Sequence, residues 1–313
     1  MLNVLLVGLG NIGIGYDVFE DRLISGQTKT HAKAILESSE FELASLEDFS
    51  AEKLARAQKI IAVASGKNIQ AFTGGFVPDL AVIAVNTSEH LSVVQSFATS
   101  PKVLIIEKPA GSNSSECLRI SSWGIQNNVQ IFINYFRRFL SCTVESKLYL
   151  TEINAGAFLS AEINAYGSLL NIFSHFIDLG LFLTNRQIFC DCTNKTKSVV
   201  GDHLFVVCKS CDSTFRLGGI GNLKCDISML LEFEFIEILI TDDGKRIKIL
   251  DKAKRVSTLF ECGFLEYENY QKVVYEKIGA MLRCEEVEEP YLGLEQAKKV
   301  HLFLESVDLN YEK

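Results

Sequence analysis

The apolar run Leu2-Asn-Val-Leu-Leu-Val7 breaks directly into Gly8-Leu-Gly-Asn-Ile-Gly13, and this junction narrows the fold more than any other feature of the chain. The glycines of a G-x-G-x-x-G turn permit a tight bend and a close backbone approach that side chains would block. After a buried strand, such a turn opens a helix whose free N–H groups and dipole hold a pyrophosphate. The motif alone is unspecific. Its place against the first strand makes dinucleotide binding the reading of Gly8, Gly10, Asn11, Ile12 and Gly13.

The first half keeps the alternation that a parallel sheet with crossover helices requires. Strands are expected at about 2–7, 41–46, 80–85, 103–107 and 129–134, with helices near 31–38, 51–64, 88–98 and 114–126. Beyond residue 150 the pattern changes. An amphipathic helix near 168–184 precedes strand-like runs at 203–209, 213–218, 227–240 and 245–250, joined by short turns such as Asp242-Asp-Gly244. Short turns favour antiparallel pairing. Helices near 267–284 and 293–307 close the chain. With 313 residues the chain suits two domains, and the change of pattern divides it into 1–134 and 135–313.

A net charge of −8 and a pI near 5.3 argue against nucleic acid or an anionic membrane as the main partner, since both call for a basic surface. A small molecule fits better. The N-terminal apolar run has no basic leader and stops at Gly8, too short for a signal peptide or a membrane span, so a cytoplasmic protein is expected. The nine cysteines are odd in number and follow no framework pattern, as for reduced thiols. Cys190, Cys192, Cys208 and Cys211, with His203, could be drawn as a zinc site, but Cys190-Asp-Cys192 has the wrong spacing and no metal is expected.

Three further features point to chemistry. The run Val103-Leu-Ile-Ile-Glu-Lys-Pro109 reads as a buried strand ending at Lys108, in an extended backbone because proline disfavours the α region before it. Ligands of open α/β sheets bind beyond such strand ends. Asp48, after the strand at 41–46, is the expected acid for the ribose hydroxyls; the alternative is a helix cap. It lies further from the glycine turn than usual because 15–30 reads as an inserted loop. A carboxylate there repels a 2′-phosphate, and no Arg or Lys follows before Lys53, which favours NAD over NADP as the cofactor. Finally, Asn171, His175 and Asp178 fall at offsets of four and three on an otherwise apolar helix, a polar stripe too narrow for a solvated face. A carboxylate beside a histidine can orient its ring for acid/base work.

Taken together, GLGNIG at 8–13, the acid at 48, VNTSEH at 85–90, EKP at 107–109, NYFRRF at 134–139 and HxxD at 175–178 resemble the glucose-fructose oxidoreductase/inositol dehydrogenase family. The resemblance implies a Rossmann dinucleotide-binding domain followed by an α/β domain with a large, mostly antiparallel open sheet, which binds substrate and commonly forms homodimers or homotetramers. It further implies NAD(P)-dependent oxidation or reduction of a polyhydroxylated substrate: a sugar, nucleotide sugar or cyclitol. By position Lys108 matches the family's active-site lysine, often before a cis proline, with Glu107 beside it, and His175 matches the acid/base. Asp178 completes the HxxD, to fix the imidazole or bind a substrate hydroxyl. Asn171 and Arg138 fall where substrate contacts lie, and Asn86, Thr87 and His90 along the cofactor.

Two departures stand out. The insertion at 15–30 brings Tyr16 and Asp17 towards the substrate, and the stretch 69–78 is too short for a crossover helix. On the resemblance, His175 exchanges the hydroxyl proton and Lys108 hydrogen-bonds the reacting oxygen, though the two could exchange roles. The competing readings are imine or enone reduction on the same scaffold, and a non-catalytic NAD-binding sensor or scaffold.

Overall fold

The computed structural model describes residues 1–165, 169–185, 194–200, 203–210, 213–220, 227–284 and 293–306. The chain divides into two compact units, Met1–Phe136 with Phe264–Glu295, and Arg137–Gly263 with Gln296–Lys313. Among the described residues no helix is long and apolar enough to cross a membrane.

The first unit is built on β1 (Leu2–Val7), β4 (Phe41–Glu47), β5 (Gln70–Ala71), β6 (Leu80–Ile83), β7 (Val103–Ile106) and β8 (Gln130–Ile133). They pair in the order β5-β4-β1-β6-β7-β8, all parallel. This is the doubly wound order, which reverses direction between β1 and β6. Every residue of β6 and β7 is buried, as helices on both faces of a parallel sheet demand. Helix α2 (Ala51–Ser65) starts at Ser50, whose side chain accepts from Lys53 N, and α4 (Ser114–Asn127) starts at Asn113, which accepts from Glu116 N at 2.9 Å. The other helices of this unit are α1 (His31–Leu36) and α3 (His90–Ser96). Strand β5 has two residues, and no helix separates it from β6, so that edge of the sheet is abbreviated.

Insertion 15–30 is spliced into a helix rather than placed before one. Gly10 O accepts from Ile14 N and Gly15 N, both at 3.0 Å, completing one helical turn. Asn11 O accepts from Tyr16 N at 2.9 Å, and the two carbonyls after it, Ile12 O and Gly13 O, accept instead from His31 N and Ala32 N at 3.1 and 2.9 Å. Helix α1 thus resumes the ladder that the glycine turn began. Between them lies a hairpin of β2 (Val18–Phe19) and β3 (Arg22–Leu23), turning through Glu20 and Asp21 at positive φ. Buried Asp17 ties the base of the loop: one carboxylate oxygen accepts from Lys29 N, Thr30 N and Thr30 Oγ1, each at 2.8 Å.

The second unit carries a sheet of β9 (Phe158–Asn164), β10 (Asn194–Val200), β11 (His203–Ser210), β12 (Ser213–Ile220), β13 (Ser228–Phe233), β14 (Ile236–Thr241), β15 (Arg246–Asp251) and β16 (Val256–Glu261). Their order is β10-β11-β12-β9-β13-β14-β15-β16, antiparallel except for the β12–β9 pair. Alternate residues of β13 and β14 are buried, including Met229, Leu231, Ile238 and Ile240. Helix α5 (Ser141–Thr151) packs on β15, β16 and α6 (Ser174–Thr184). The expected run at 227–240 is two strands, because the chain turns at Glu234 and Phe235. The C-terminal helices divide differently from the sequence expectation. Helices α7 (Phe264–Glu268) and α8 (Tyr270–Cys284) belong to the first unit, where Val274, Tyr275 and Ile278 are buried, while α9 (Leu294–Ser306) runs on into the second.

Candidate functional site

The three glycines of the turn are required for different reasons. Gly8 sits at φ +95°, and a Cβ there would lie 2.5 Å from the carbonyl of Ala84; one on Gly13 would meet Gly8 O at 2.1 Å. Both are demanded by the fold. Gly10 has no atom within 4 Å of its Cβ position, so a side chain there would enter open space beside the turn rather than clash with the fold. Gly10→Ala is therefore expected to keep the wild-type melting temperature and weaken dinucleotide binding by about tenfold or more, the ~1.4 kcal/mol scale of one lost contact with the backbone. Calorimetric titration with NADH alongside thermal denaturation checks it, and unchanged affinity would refute the cradle. Gly13→Ala, by contrast, is expected to lower the melting temperature itself.

Asp48 follows β4 directly, and its carboxylate accepts from Leu9 N at 2.7 Å and Ser50 N at 2.8 Å. It braces the glycine turn against the start of α2, where Ser50 rather than Asp48 is the cap. Each carboxylate oxygen retains a lone pair, and the residue is half-buried, so hydroxyl groups can still be accepted. A cavity of about 320 Å³ runs between the turn and α2, lined by Gly10, Asn11, Val18, Lys53, Arg56 and Asn86. Asn86 and Thr87 stand at the C-terminal end of β6, where Asn86 and Glu89 form a reciprocal capping box. Arg56 on this cavity is paired at 2.8 Å with Asp21 of the inserted hairpin.

Strand β7 ends with Glu107 N donating to Ile83 O at 2.9 Å, and the Lys108–Pro109 peptide is cis. Lys108 is half-buried. Glu107 points inward, where Oε1 meets His31 Nε2 at 2.9 Å and accepts from Asn134 Nδ2 at 2.5 Å. Burial alone would push this carboxyl up, but His31, Asn134 and the Lys108 charge outweigh it and hold it below the usual carboxylate range. Glu107 is thus a buried partner of these side chains. His90 is buried as well, with Nδ1 3.3 Å from Ala110 O and Nε2 3.2 Å from Val85 O, and so pins the loop after β6 to the loop after β7.

Burial pushes the His90 imidazole below its ordinary 6.5, against the smaller opposing pull of the Ala110 and Val85 carbonyls and the Glu107 charge. A folded value below the unfolded one means that its contribution to stability is full above 6.5 and fades as pH falls towards the folded value. The melting temperature is expected to drop between neutral pH and about pH 5, and to drop less in His90→Gln. Equal slopes in a pH-dependent melting series would remove His90 as the cause.

In the second unit the stripe of Asn171, His175 and Asp178 is divided. Leu169–Phe173 winds as a π-turn, which resets the helical phase before α6, and Asn171 is exposed while His175 and Asp178 are buried. The Asp178 carboxylate takes the Arg138 guanidinium: Nε donates to Oδ2 at 2.8 Å, and Nη2 pairs with Oδ1. Arg138 is wholly buried and lies over the Phe182 ring. This gives Arg138 a carboxylate partner in place of the expected substrate contact, and occupies Asp178 in an ion pair rather than on a substrate hydroxyl. Burial pulls the Asp178 carboxyl up while Arg138 opposes it. The guanidinium cannot shed its proton, so the carboxylate facing it is the charged partner.

Among the insertion residues, Tyr16 is exposed and Asp17 is the buried tie described above. Cys190, Cys192 and Cys211 lie outside the described residues. His31, Gln271 and Tyr275 were not anticipated. His31 opens α1 in plain view, but its partner Glu107 is 76 residues away, and no local pattern links the two.

Residues 2–135 match the model of the GFO_IDH_MocA family, described as an oxidoreductase family with an NAD-binding Rossmann fold. No curated protein matches the chain in sequence. Among solved structures, a super-repressor mutant of Gal80p from Saccharomyces cerevisiae superposes with a TM-score of 0.73 at 16% identity, covering 97% of this chain and 94% of that one. UDP-N-acetylglucosamine 3-dehydrogenase GnnA from Acidithiobacillus ferrooxidans gives 0.70 at 14% identity, covering 98% and 96%. Levoglucosan dehydrogenase, in complex with NADH and levoglucosan, gives 0.71 at 14%, covering 98% and 97%. At these identities the structural likeness speaks for the fold alone. The open cradle at Gly10 and the braced acid at Asp48 lie within residues 2–135, so the first domain belongs to the GFO_IDH_MocA oxidoreductase family with its NAD-binding Rossmann fold.

Proposed function

We propose that this chain is an NAD-dependent oxidoreductase acting on a carbon that bears a hydroxyl or ketone in a polyhydroxylated small molecule: a sugar, nucleotide sugar or cyclitol. The observation that carries the reading is that an open glycine cradle and Lys108 leave from the same edge of one parallel sheet, after β1 and β7. A bound nicotinamide dinucleotide supplies or accepts the hydride. The protein's own residues bind, orient and move the proton. Turn amides take the pyrophosphate, and Asp48 accepts from the ribose hydroxyls while repelling a 2′-phosphate. Of the two cations on this cavity, Lys53 and Arg56, Arg56 is engaged by Asp21, which supports NAD over NADP.

Lys108 donates a hydrogen bond to the substrate oxygen as charge develops there, and His175 exchanges the hydroxyl proton. Asp178 and Arg138 lock α6 so that His175 keeps one orientation. The levoglucosan and UDP-N-acetylglucosamine dehydrogenases that share the fold act, by their names, on polyhydroxylated compounds, which supports the substrate class. The open face of the second sheet is the proposed contact of a homodimer or homotetramer.

A second reading, a non-catalytic nucleotide-binding regulator, draws support from the likeness to Gal80p, described as a repressor. The two separate when NADH, NADPH and their oxidised forms are mixed with free sugars, nucleotide sugars and cyclitols while absorbance is followed. Turnover on one class, with NAD(H) preferred, is the expected result. Nucleotide binding without turnover on any class would establish the regulator instead.

A further inference from the structure

Two adjacent strands of the first sheet end side by side and lead to residues that leave the same edge. Strand β7 leads to Lys108; β8, in register with it up to Ile106 and Ile133 and joined once more where Asn134 N donates to Ile106 O at 2.8 Å, leads to Phe136. Paired strands lie about 4.8 Å apart, which makes the two residues neighbours beyond the sheet. Phe136 does not stand alone there. Its ring centre lies 4.3 Å from that of Tyr270 at a tilt of 33°, and 5.9 Å from that of Tyr267 in an edge-on contact.

The two tyrosines belong to α7 and α8 and are held from behind by the end of the 15–30 insertion. Tyr270 Oη donates to Lys29 O at 3.0 Å, Lys29 Nζ pairs with Glu268 at 2.6 Å, and the backbones join where Thr28 N donates to Glu268 O and Gln271 N to Thr28 O. Buried Asp17 fixes Lys29 N from the other side. Core packing does not account for these rings. Tyr135 and Tyr275, their neighbours along the chain, are closed to solvent at 0% and 1% exposure, whereas Phe136, Tyr267 and Tyr270 all stay half-buried. Aromatic faces left partly open beyond the strand ends, where such sheets bind ligands, form a surface rather than an interior.

We propose that Phe136 and Tyr267 are specificity-determining residues: with Tyr270 they form an aromatic wall beside Lys108 on which the C–H face of a closed sugar or cyclitol ring stacks, in preference to an open-chain polyol. This rests on the reading of Lys108 as the group that meets the substrate oxygen. The face of an aromatic ring is negative and the hydrogens on the face of a pyranose or cyclitol are weakly positive, so the two attract while water is excluded between them. The hydroxyls at the rim then point along the wall, towards the ammonium of Lys108. An open chain presents no such face and loses more internal freedom on binding.

Saturation-transfer NMR on the full chain loaded with NADH tests the wall, with methyl β-D-glucopyranoside and myo-inositol as ring probes and D-glucitol as the open-chain control. At least one ring probe is expected to receive saturation on the hydrogens of one ring face and to bind more tightly than D-glucitol. Tyr267→Leu and Phe136→Leu are expected to weaken that probe by about three- to tenfold, the scale of one aromatic contact, while Tyr267→Phe keeps the ring and binds as wild type. No transfer to either ring probe, equal binding of D-glucitol, or unchanged binding in Tyr267→Leu overturns the proposal. If Phe136→Leu does not fold, the comparison of Tyr267→Leu with Tyr267→Phe still decides. The readout needs no turnover. Ring binding that depends on Tyr267 in a protein that turns over no substrate would therefore refute the proposed function and leave the wall standing, whereas turnover of a closed-ring compound with KM unchanged in Tyr267→Leu would do the reverse.

Discussion

Lys108→Met is expected to lower kcat/KM by about 10²–10³, the cost of removing one donor aimed at a developing oxyanion, while NADH affinity changes by only a few-fold. Methionine keeps the unbranched stem of a half-buried side chain and removes the ammonium, so the loss falls on the chemistry rather than on packing. Glu107 remains tied to His31 and Asn134 in the variant, and the strand end keeps its backbone bond to Ile83. The experiment pairs steady-state rates on whichever substrate class turns over with calorimetric titration of NADH. Near-normal turnover would eliminate Lys108 as the group that holds the substrate oxygen. His175→Ala separates the roles further: loss of a general acid or base removes about 10²–10⁴ and flattens the pH profile near neutrality, whereas loss of an oxyanion donor lowers the profile without changing its shape.

The largest effect on stability is expected at Arg138. Arg138→Met leaves the Asp178 carboxylate buried without its counter-ion, and breaking one side of such a pair costs about 3–5 kcal/mol. The double variant Arg138→Met/Asp178→Leu removes both charges at once and is expected to recover much of that loss, because an apolar pair of similar volume fits a dry interior at little cost. Urea denaturation of the two single variants and the double variant gives the coupling directly. A cost below about 1 kcal/mol for Arg138→Met, the ordinary value for an exposed ion pair, would show that water reaches the carboxylate. This pair explains why a helix as apolar as α6 can carry an aspartate. Its face is buried from Ser174 to Leu183, and Asp178 is accommodated because a guanidinium arrives from Arg138, 40 residues earlier.

Much of this fold is legible along the chain because its signals are short-ranged. The strand at 2–7, the glycine turn and the runs at 80–85 and 103–107 are contiguous patterns, and they became β1, its turn, β6 (Leu80–Ile83) and β7 (Val103–Ile106). The missing crossover helix was visible as simple shortage of residues between β5 and β6. Strand β16, in contrast, offers no regular burial alternation, and β9 mixes Ser, Glu and Asn among its apolar residues, so neither stands out before its neighbours are known. The reading of 227–240 as a single run failed for a similar reason, since the turn at Glu234 and Phe235 contains neither glycine nor proline.

The candidate site divides along the same line. Glycine spacing, the acid after the second strand and a lysine before proline are local, and from them the sequence by itself determined a dinucleotide-binding α/β protein with Lys108 at a strand end. Side-chain partners are not local. Tertiary structure alone decided that Glu107 turns inward to His31, that Arg138 closes on Asp178, that His90 pins two loops, and that α8 returns to the first unit with Gln271 and Tyr275. The physical reason is that a buried charge accepts whichever partner packing brings within hydrogen-bond reach. That reach is set by the folded backbone, not by distance along the chain.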